Sequence, residues 1–178
     1  MRRKTDETDI EINYSKELFV DTGDPVLNHL LKTLFYYMGK NVIIKAKFDL
    51  NHHLWEDMGI TIGQFLKNEV EGKKIKRFGT SILPMDDALI LVSIDISRSY
   101  TNIDIDIKDA EKGFELGNFK ELILGLSRYL QSTIHIKQIN GENAHHIIEA
   151  SFKALGSALK TALEPSDKLE STNRVYEV

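Results

Sequence analysis

The sequence predicts an α+β protein built from an internally duplicated unit, with sheet on one side and helices on the other, forming a higher oligomer. Three observations carry that reading. Both halves alternate strand-like and helix-like hydrophobic periods. A shift of 93 residues, which carries His52 onto His145, brings two blocks into register without a gap. A His-His-x-x-Glu motif occurs in each block at matching positions.

Under that shift Leu30-Leu31 lies over Ile123-Leu124, and Val42-Ile43-Ile44 over His135-Ile136-Lys137. Glu56 falls on Glu149, Gly63 on Gly156 and Leu66 on Leu159. Leucines of two amphipathic helices align readily by chance, but paired histidines followed by a glutamate are no packing pattern. We divide the chain into a first repeat over residues 1–90 and a second over 91–178, sharing one compact metal-binding domain.

Taken in order, Ile10 to Tyr14 alternates and reads as a strand. Pro25 through Met38 places Val26, Leu27, Leu30, Leu31, Leu34 and Phe35 at a helical period, and Gly39 ends it. Val42 to Leu50 reads as a strand. From Asn51, a favourable N-cap, a second helix runs to about Val70, with Gly72 behind it. Ala88–Ile96 and Thr101–Ile107 read as neighbouring strands. A third helix covers about Phe119 to Leu130, a strand Thr133 to Gln138, and a fourth helix Ala144 to Glu164, stopped by Pro165. The last dozen residues are polar and resemble a tail that a ligand or partner orders.

Composition narrows the function classes. The 178 residues suffice for one substantial core or two small halves that share one. A net charge of −4 and the absence of a basic stripe argue against nucleic acid as a partner. There is no cysteine, which excludes disulfides and thiolate-ligated metals. No apolar run approaches the roughly 20 residues of a membrane span. The charged opening Met1-Arg2-Arg3-Lys4 lacks an apolar segment behind it, so no signal peptide is expected and the cytoplasm is the expected compartment.

The repeated motif carries the chemistry. His52 and Glu56 are four residues apart and stack on one helix face, where an imidazole and a carboxylate can grip one divalent ion. His53 is rotated by about 100° from His52, so it aims at a different ion or across a subunit boundary. His145, His146 and Glu149 repeat the arrangement. One chain therefore does not close both sites, and an oligomer is expected. Two of the six histidines lie outside the motifs. Alone, His29 reads as a core or cap histidine and His135 as a half-exposed strand residue. With both counted, eight side chains shared between two ions leave open positions for water and substrate. Nitrogen and oxygen donors without sulfur suit Mn²⁺, Fe²⁺, Co²⁺, Ni²⁺ or Zn²⁺.

These motifs resemble the imidazoleglycerol-phosphate dehydratase family over nearly the whole chain. The resemblance rests on the two motifs, on the opening Arg3-Lys4-Thr5-x-Glu7-Thr8, and on Arg77-Phe78-Gly79 running on to Pro84-Met85-Asp86-Asp87-Ala88-Leu89. It also rests on Asn143-Ala144-His145-His146-Ile147-Ile148-Glu149-Ala150 with Phe152-Lys153-Ala154. It implies a lyase of histidine biosynthesis that dehydrates imidazole-glycerol phosphate to imidazole-acetol phosphate. It further implies a homo-oligomer, a 24-mer, with two Mn²⁺ per subunit bound at subunit interfaces. The implied ligands are His29, His52, His53, Glu56, His135, His145, His146 and Glu149. Glu7 becomes the acid or base near the N-terminus, and Arg77, Arg98, Lys153 and Ser171 the set that holds substrate phosphate. The implied mechanism is Lewis-acid catalysis with the substrate ring as electron conduit and a carboxylate base.

Several positions depart from the family pattern. Asn28 stands where an aspartate usually precedes the first-helix histidine, and Leu54-Trp55 replaces the usual Thr-Val. Ser171-Thr172-Asn173-Arg174 replaces Ser-Thr-Lys-Gly, so Arg174 is a candidate substitute for the lysine. The usual glycine before Arg98 is absent. Two rival readings are a dinuclear hydrolase on the same scaffold and a non-catalytic, metal-bridged oligomer.

Overall fold

In the computed structural model, which describes residues 1–107 and 115–168, the repeat takes the form of two sheets of identical topology. The first half holds β1 (Arg2–Lys4), β2 (Thr8–Tyr14), β3 (Phe19–Asp21), α1 (Pro25–Met38), β4 (Val42–Phe48) and α2 (Asn51–Val70). The second holds β5 (Phe78–Met85), β6 (Ala88–Ile96), β7 (Tyr100–Asp104), α3 (Leu116–Leu130), β8 (Ser132–Asn140) and α4 (Ala144–Ala162). The sheet orders are β1-β2-β4-β3 and β5-β6-β8-β7. In each, the last-named edge strand runs parallel to its neighbour, a pairing that requires a crossover connection. In the first half α1 is that crossover. The sheets thus divide at residues 71–77, ahead of the boundary at residue 90, which falls inside β6. The strand that moves the boundary is β5, whose Gly79, Pro84 and short apolar run carry little alternation.

Helices α1 and α2 cover the first sheet and α3 and α4 the second, and the halves meet helix to helix, α1 on α4 and α2 on α3. The repeat-matched glycines make that contact possible. A Cβ on Gly156 would lie 2.4 Å from the Leu34 carbonyl oxygen, and one on Gly63 2.9 Å from that of Leu126. The core is then closed by Ile10, Ile12, Val42 and Ile44 from one sheet and Ile90, Val92, Ile134 and Ile136 from the other, all essentially inaccessible.

Three local expectations are corrected. β6 and β7 are not neighbours, because β8 lies between them and pairs with both. Asn51 is the first helical residue and Leu50 the cap, whose side chain has no acceptor to offer; the nearby Asp49 Oδ1 takes the Leu50 N–H and the His53 ring instead. The third correction concerns register. The 93-residue shift lays Val42 over His135, yet Val42 and Ile44 match Ile134 and Ile136 in burial, one residue short of it. The ladder slips between Leu89↔Asn140 and Ile90↔Gln138, leaving Ile139 as an extra residue that restores the shift before α4 begins. A one-residue slip exchanges the faces of a strand. His135 therefore corresponds to exposed Ile43 and stands on the outer face of its sheet.

Candidate metal centre

Helix geometry brings three of the expected ligands together within one chain. Asp24 caps α1 by accepting from the Val26 and Leu27 N–H groups at 2.9 and 3.1 Å, with Pro25 in the first turn. Asn143 caps α4 by accepting from the His146 N–H at 3.2 Å. Because α1 packs on α4, His29 faces the first turns of α4. His29 Nε2 and His145 Nε2 each lie 3.2 Å from Glu149 Oε2. The rings stack with centroids 5.8 Å apart. One donor atom from each residue lies within 4.8 Å of the others, so the three can hold a metal ion.

The other carboxylate oxygen of Glu149 is held by Lys153 Nζ at 2.9 Å, one turn along the helix. Burial pushes the Glu149 carboxyl up, but Lys153 and His29 outweigh it and hold the group below the ordinary range. The side chain is therefore an anion with one oxygen aimed at the two histidines. Beside it lies a cavity of about 370 Å³ walled by Thr33, Tyr36, Tyr37 and Lys153.

The first motif is arranged differently. His52 Nε2 lies 3.7 Å from Glu56 Oε2, the spacing of a helical i, i+4 pair. Through α3 the repeat also runs one residue short of the 93-residue shift, as the left-handed C-caps Gly39 and Gln131 and the matching burial of the two helices show, so the counterpart of His29 is the half-buried Glu121. No third ligand reaches His52 and Glu56 from within the described residues.

The second histidine of each motif is oriented by a carboxylate. His53 Nδ1 lies 2.8 Å from Asp49 Oδ1, and His146 Nδ1 lies 2.5 Å from Asp87 Oδ1. Those hydrogen bonds raise both imidazole pKa values. Asp87 is itself pulled far down by the backbone N–H of Glu142, then by His146 and the N–H of Asn143. With Nδ1 donating, the neutral ring presents Nε2 as its donor to a metal. In each case a second carboxylate faces that atom: Glu7 Oε1 at 3.7 Å from His53 Nε2, and Asp86 Oδ2 at 3.2 Å from His146 Nε2. Sequence reasoning assigned no role to Asp49, Asp86 or Asp87. Asp49 was legible as the acid four residues before His53, and the other two stand in the quoted Pro84–Leu89 segment.

The opening motif explains the position of Glu7. Buried Asp57, the residue after Glu56, pairs with Arg3 Nη2 at 2.8 Å and accepts from the hydroxyls of Thr5 and Thr8. Those contacts clamp the β1–β2 turn, with exposed Glu7 at its tip, onto the His52–Glu56 end of α2. The departures also find roles. Asn28 Oδ1 accepts from the backbone and hydroxyl of Thr22, both at 2.7 Å, and so ties down the approach to α1. Trp55 Nε1 donates to Asp24 Oδ2 at 3.0 Å, bracing the cap of α1 against α2.

The remaining expected residues lie elsewhere. His135 sits outward beneath Tyr100, ring centroids 5.6 Å apart, and joins no other histidine among the described residues. Arg77 forms a two-pronged pair with Asp95 at 2.6 and 3.0 Å, and the charge of Arg98 acts on the same carboxylate. Arg77 precedes β5 and Asp86 follows it, so these ends are separated by an eight-residue strand, roughly 26 Å. Ser171 and Arg174 fall outside the described residues. No helix among the described residues is long and apolar enough to cross a membrane.

The chain is also similar to known proteins. The family model described as imidazoleglycerol-phosphate dehydratase matches residues 22–159. The chain is 53% identical to the imidazoleglycerol-phosphate dehydratase of Pyrococcus furiosus, covering 98% of this chain and 99% of that one. It is 41% identical to that of Saccharolobus solfataricus, over 97% and 95%. A crystal structure of the P. furiosus protein in complex with (S)-C348 superposes with a TM-score of 0.93 over 97% of this chain and 98% of that one, at 53% identity. The Staphylococcus aureus protein does so with 0.83 over 93% and 98%, at 31% identity.

Proposed function

The chain belongs to the imidazoleglycerol-phosphate dehydratase family, hydro-lyases of histidine biosynthesis, and on that premise we propose how its residues carry the dehydration. The hydrolase and non-catalytic readings fall with that membership. The observation that supports a metal mechanism is the His29, His145 and Glu149 cluster, whose nitrogen and oxygen donors fit a divalent transition ion. The reading is two Mn²⁺ per subunit. One ion takes His29, His145 and Glu149; the second takes His52 and Glu56. His53, His135 and His146 complete these sites across subunit boundaries. When bound, such ions supply Lewis-acid stabilisation of negative charge on the substrate ring.

The chain's own groups do the rest. From the tip of its clamped turn Glu7 takes the carbon-bound proton, the neighbouring C–O bond breaks, the hydroxyl leaves with a proton as water, and the resulting enol tautomerises to imidazole-acetol phosphate. Lys153 keeps Glu149 ionised and stands at the cavity wall. Arg77, Arg98 and Ser171 hold the phosphate, because guanidinium forks match a dianion's oxygens. The roughly 26 Å along β5 keeps the two arginines from the metal cluster of their own chain, where Lys153 stands, so the phosphate set of Arg77, Arg98, Lys153 and Ser171 is assembled from neighbouring copies. The enzyme is therefore a homo-oligomer, a 24-mer as in the family, and works in the cytoplasm.

Two measurements test this. Turnover of imidazole-glycerol phosphate is expected to vanish on exhaustive chelation and return with Mn²⁺, and elemental analysis should find two ions per chain. One ion or none in the reactivated protein would sink the dinuclear site. Chelation should also loosen the oligomer, since ligands from different copies then lose their common ion. Light scattering that finds one stable monomer with and without EDTA would contradict the shared sites.

A further inference from the structure

Between the two arginines stands a carboxylate that the substrate does not need to touch. Among the described residues Arg77 is one of three non-glycine residues with positive φ, at 69°, a costly conformation for a side chain of its size. Its surroundings hold it there. Its N–H donates to the Ala162 carbonyl at 2.9 Å, its own carbonyl accepts from the Ile96 N–H at 3.0 Å, and its guanidinium lies 4.7 Å from the centre of the Phe78 ring. Asp95 then takes the Nε and one Nη through its two oxygens, and Ser97 Oγ donates to the same carboxylate at 2.8 Å. Arg98 follows on the turn out of β6.

We propose that Asp95 is a positioning residue for the anion site: it fixes the plane of the Arg77 guanidinium and offsets the repulsion between Arg77 and Arg98 before a phosphate monoester arrives. This rests on the reading that these arginines hold the substrate phosphate. The chemistry favours it. Two guanidiniums brought together without a counter-charge repel and spread, whereas a shared carboxylate keeps them close and lets the dianion meet a formed clamp. The hydrogen bond from Arg77, first, and the charge of Arg98, last, keep the Asp95 carboxyl below its usual range despite partial burial. The carboxylate is thus charged near neutral pH.

The test uses the assembled, metal-loaded enzyme with Asp95→Ala, Asp95→Asn and Asp95→Glu, alone and combined with Arg77→Ala. Asp95→Ala is expected to raise KM about tenfold and weaken inhibition by inorganic phosphate similarly, with kcat held within about twofold. Asp95→Glu should recover part of that loss by restoring the charge. The double variant should be no worse than Arg77→Ala, because Asp95 acts through the arginine. Should the alanine variant fail to assemble, Asp95→Asn gives the same readings with shape conserved. A KM that is unchanged or lower, losses that simply add, or a parallel fall in kcat and metal content would each overturn the proposal. If Arg77→Ala and Arg98→Ala themselves leave KM and phosphate inhibition untouched, the phosphate reading fails and takes this inference with it. An effect of the arginine variants without one from Asp95 overturns the inference alone.

Discussion

Glu149→Ala is expected to abolish turnover, by roughly a thousandfold or more, while metal content drops from two ions per chain to one. The magnitude follows from the Lewis-acid contribution of one ion, several kcal/mol, at about 1.4 kcal/mol per factor of ten. The geometry makes this residue the sensitive one. Glu149 Oε2 is the atom that both His29 and His145 approach, and its side chain is only 12% exposed, against 43% for Glu56. Removal also strands Lys153, 15% exposed, beside two imidazoles that it would repel if they were protonated. Glu149→Gln is the sharper control, since it keeps volume and one oxygen but lacks the charge that Lys153 and the metal both use. Glu56→Ala should cost one ion as well, on the proposal that neighbouring copies complete the site it shares with His52. A Glu149→Ala enzyme that retains two ions and near-normal turnover would remove the cluster from the mechanism.

How much of this was legible in the residues differs from element to element. The four helices and the central strands of both sheets followed from hydrophobic period, because one face of each is fully buried. The edge strands β1 and β3 are three residues long each, too short for a period to show. β5 is broken by Gly79 and Pro84 and exposes Phe78 and Ile82, so its alternation is masked. The His-His-x-x-Glu repeat suggested two equal sites, whereas the structure gathers three candidate ligands around one motif only, among the described residues. The asymmetry lies in what the paired helices carry: α1 meets α4 and brings His29, while α3 meets α2 with Glu121 at the equivalent place, outside any three-ligand group among the described residues. No local pattern announces which helices cross. The bulge at Ile139 was equally hidden, since an ungapped alignment set by the two motifs passes over the extra residue and misplaces α3 and β8 by one position, laying exposed His135 over buried Val42.

The last expected result separates chemistry from metal binding. Glu7→Gln should lower kcat by about 10²–10⁴-fold, the range for loss of a general base, with metal content and assembly unchanged. Glu7 is 56% exposed on its side chain and lies 3.7 Å from His53 Nε2, so its carboxylate stands at the edge of the first metal motif instead of being buried in it. Its placement is secured from behind. Arg3, Thr5 and Thr8 all bind Asp57, the residue after Glu56, and the Glu7 carbonyl accepts from the Asp49 N–H at 3.1 Å. The turn therefore keeps its shape in the amide variant, because none of these bonds uses the Glu7 side chain. That isolates the proton-accepting charge as the one thing removed. If Glu7 served only to orient His53 through its Nε2, the variant would lose metal along with activity, and added Mn²⁺ would restore part of the rate. If it were an ordinary surface residue, the kinetics would not move. A Glu7→Gln enzyme that binds two ions and keeps wild-type kcat would take the base role away from Glu7. Of the other groups that face the second histidine of each motif, Asp86 at 3.2 Å from His146 Nε2 would then be the carboxylate to test.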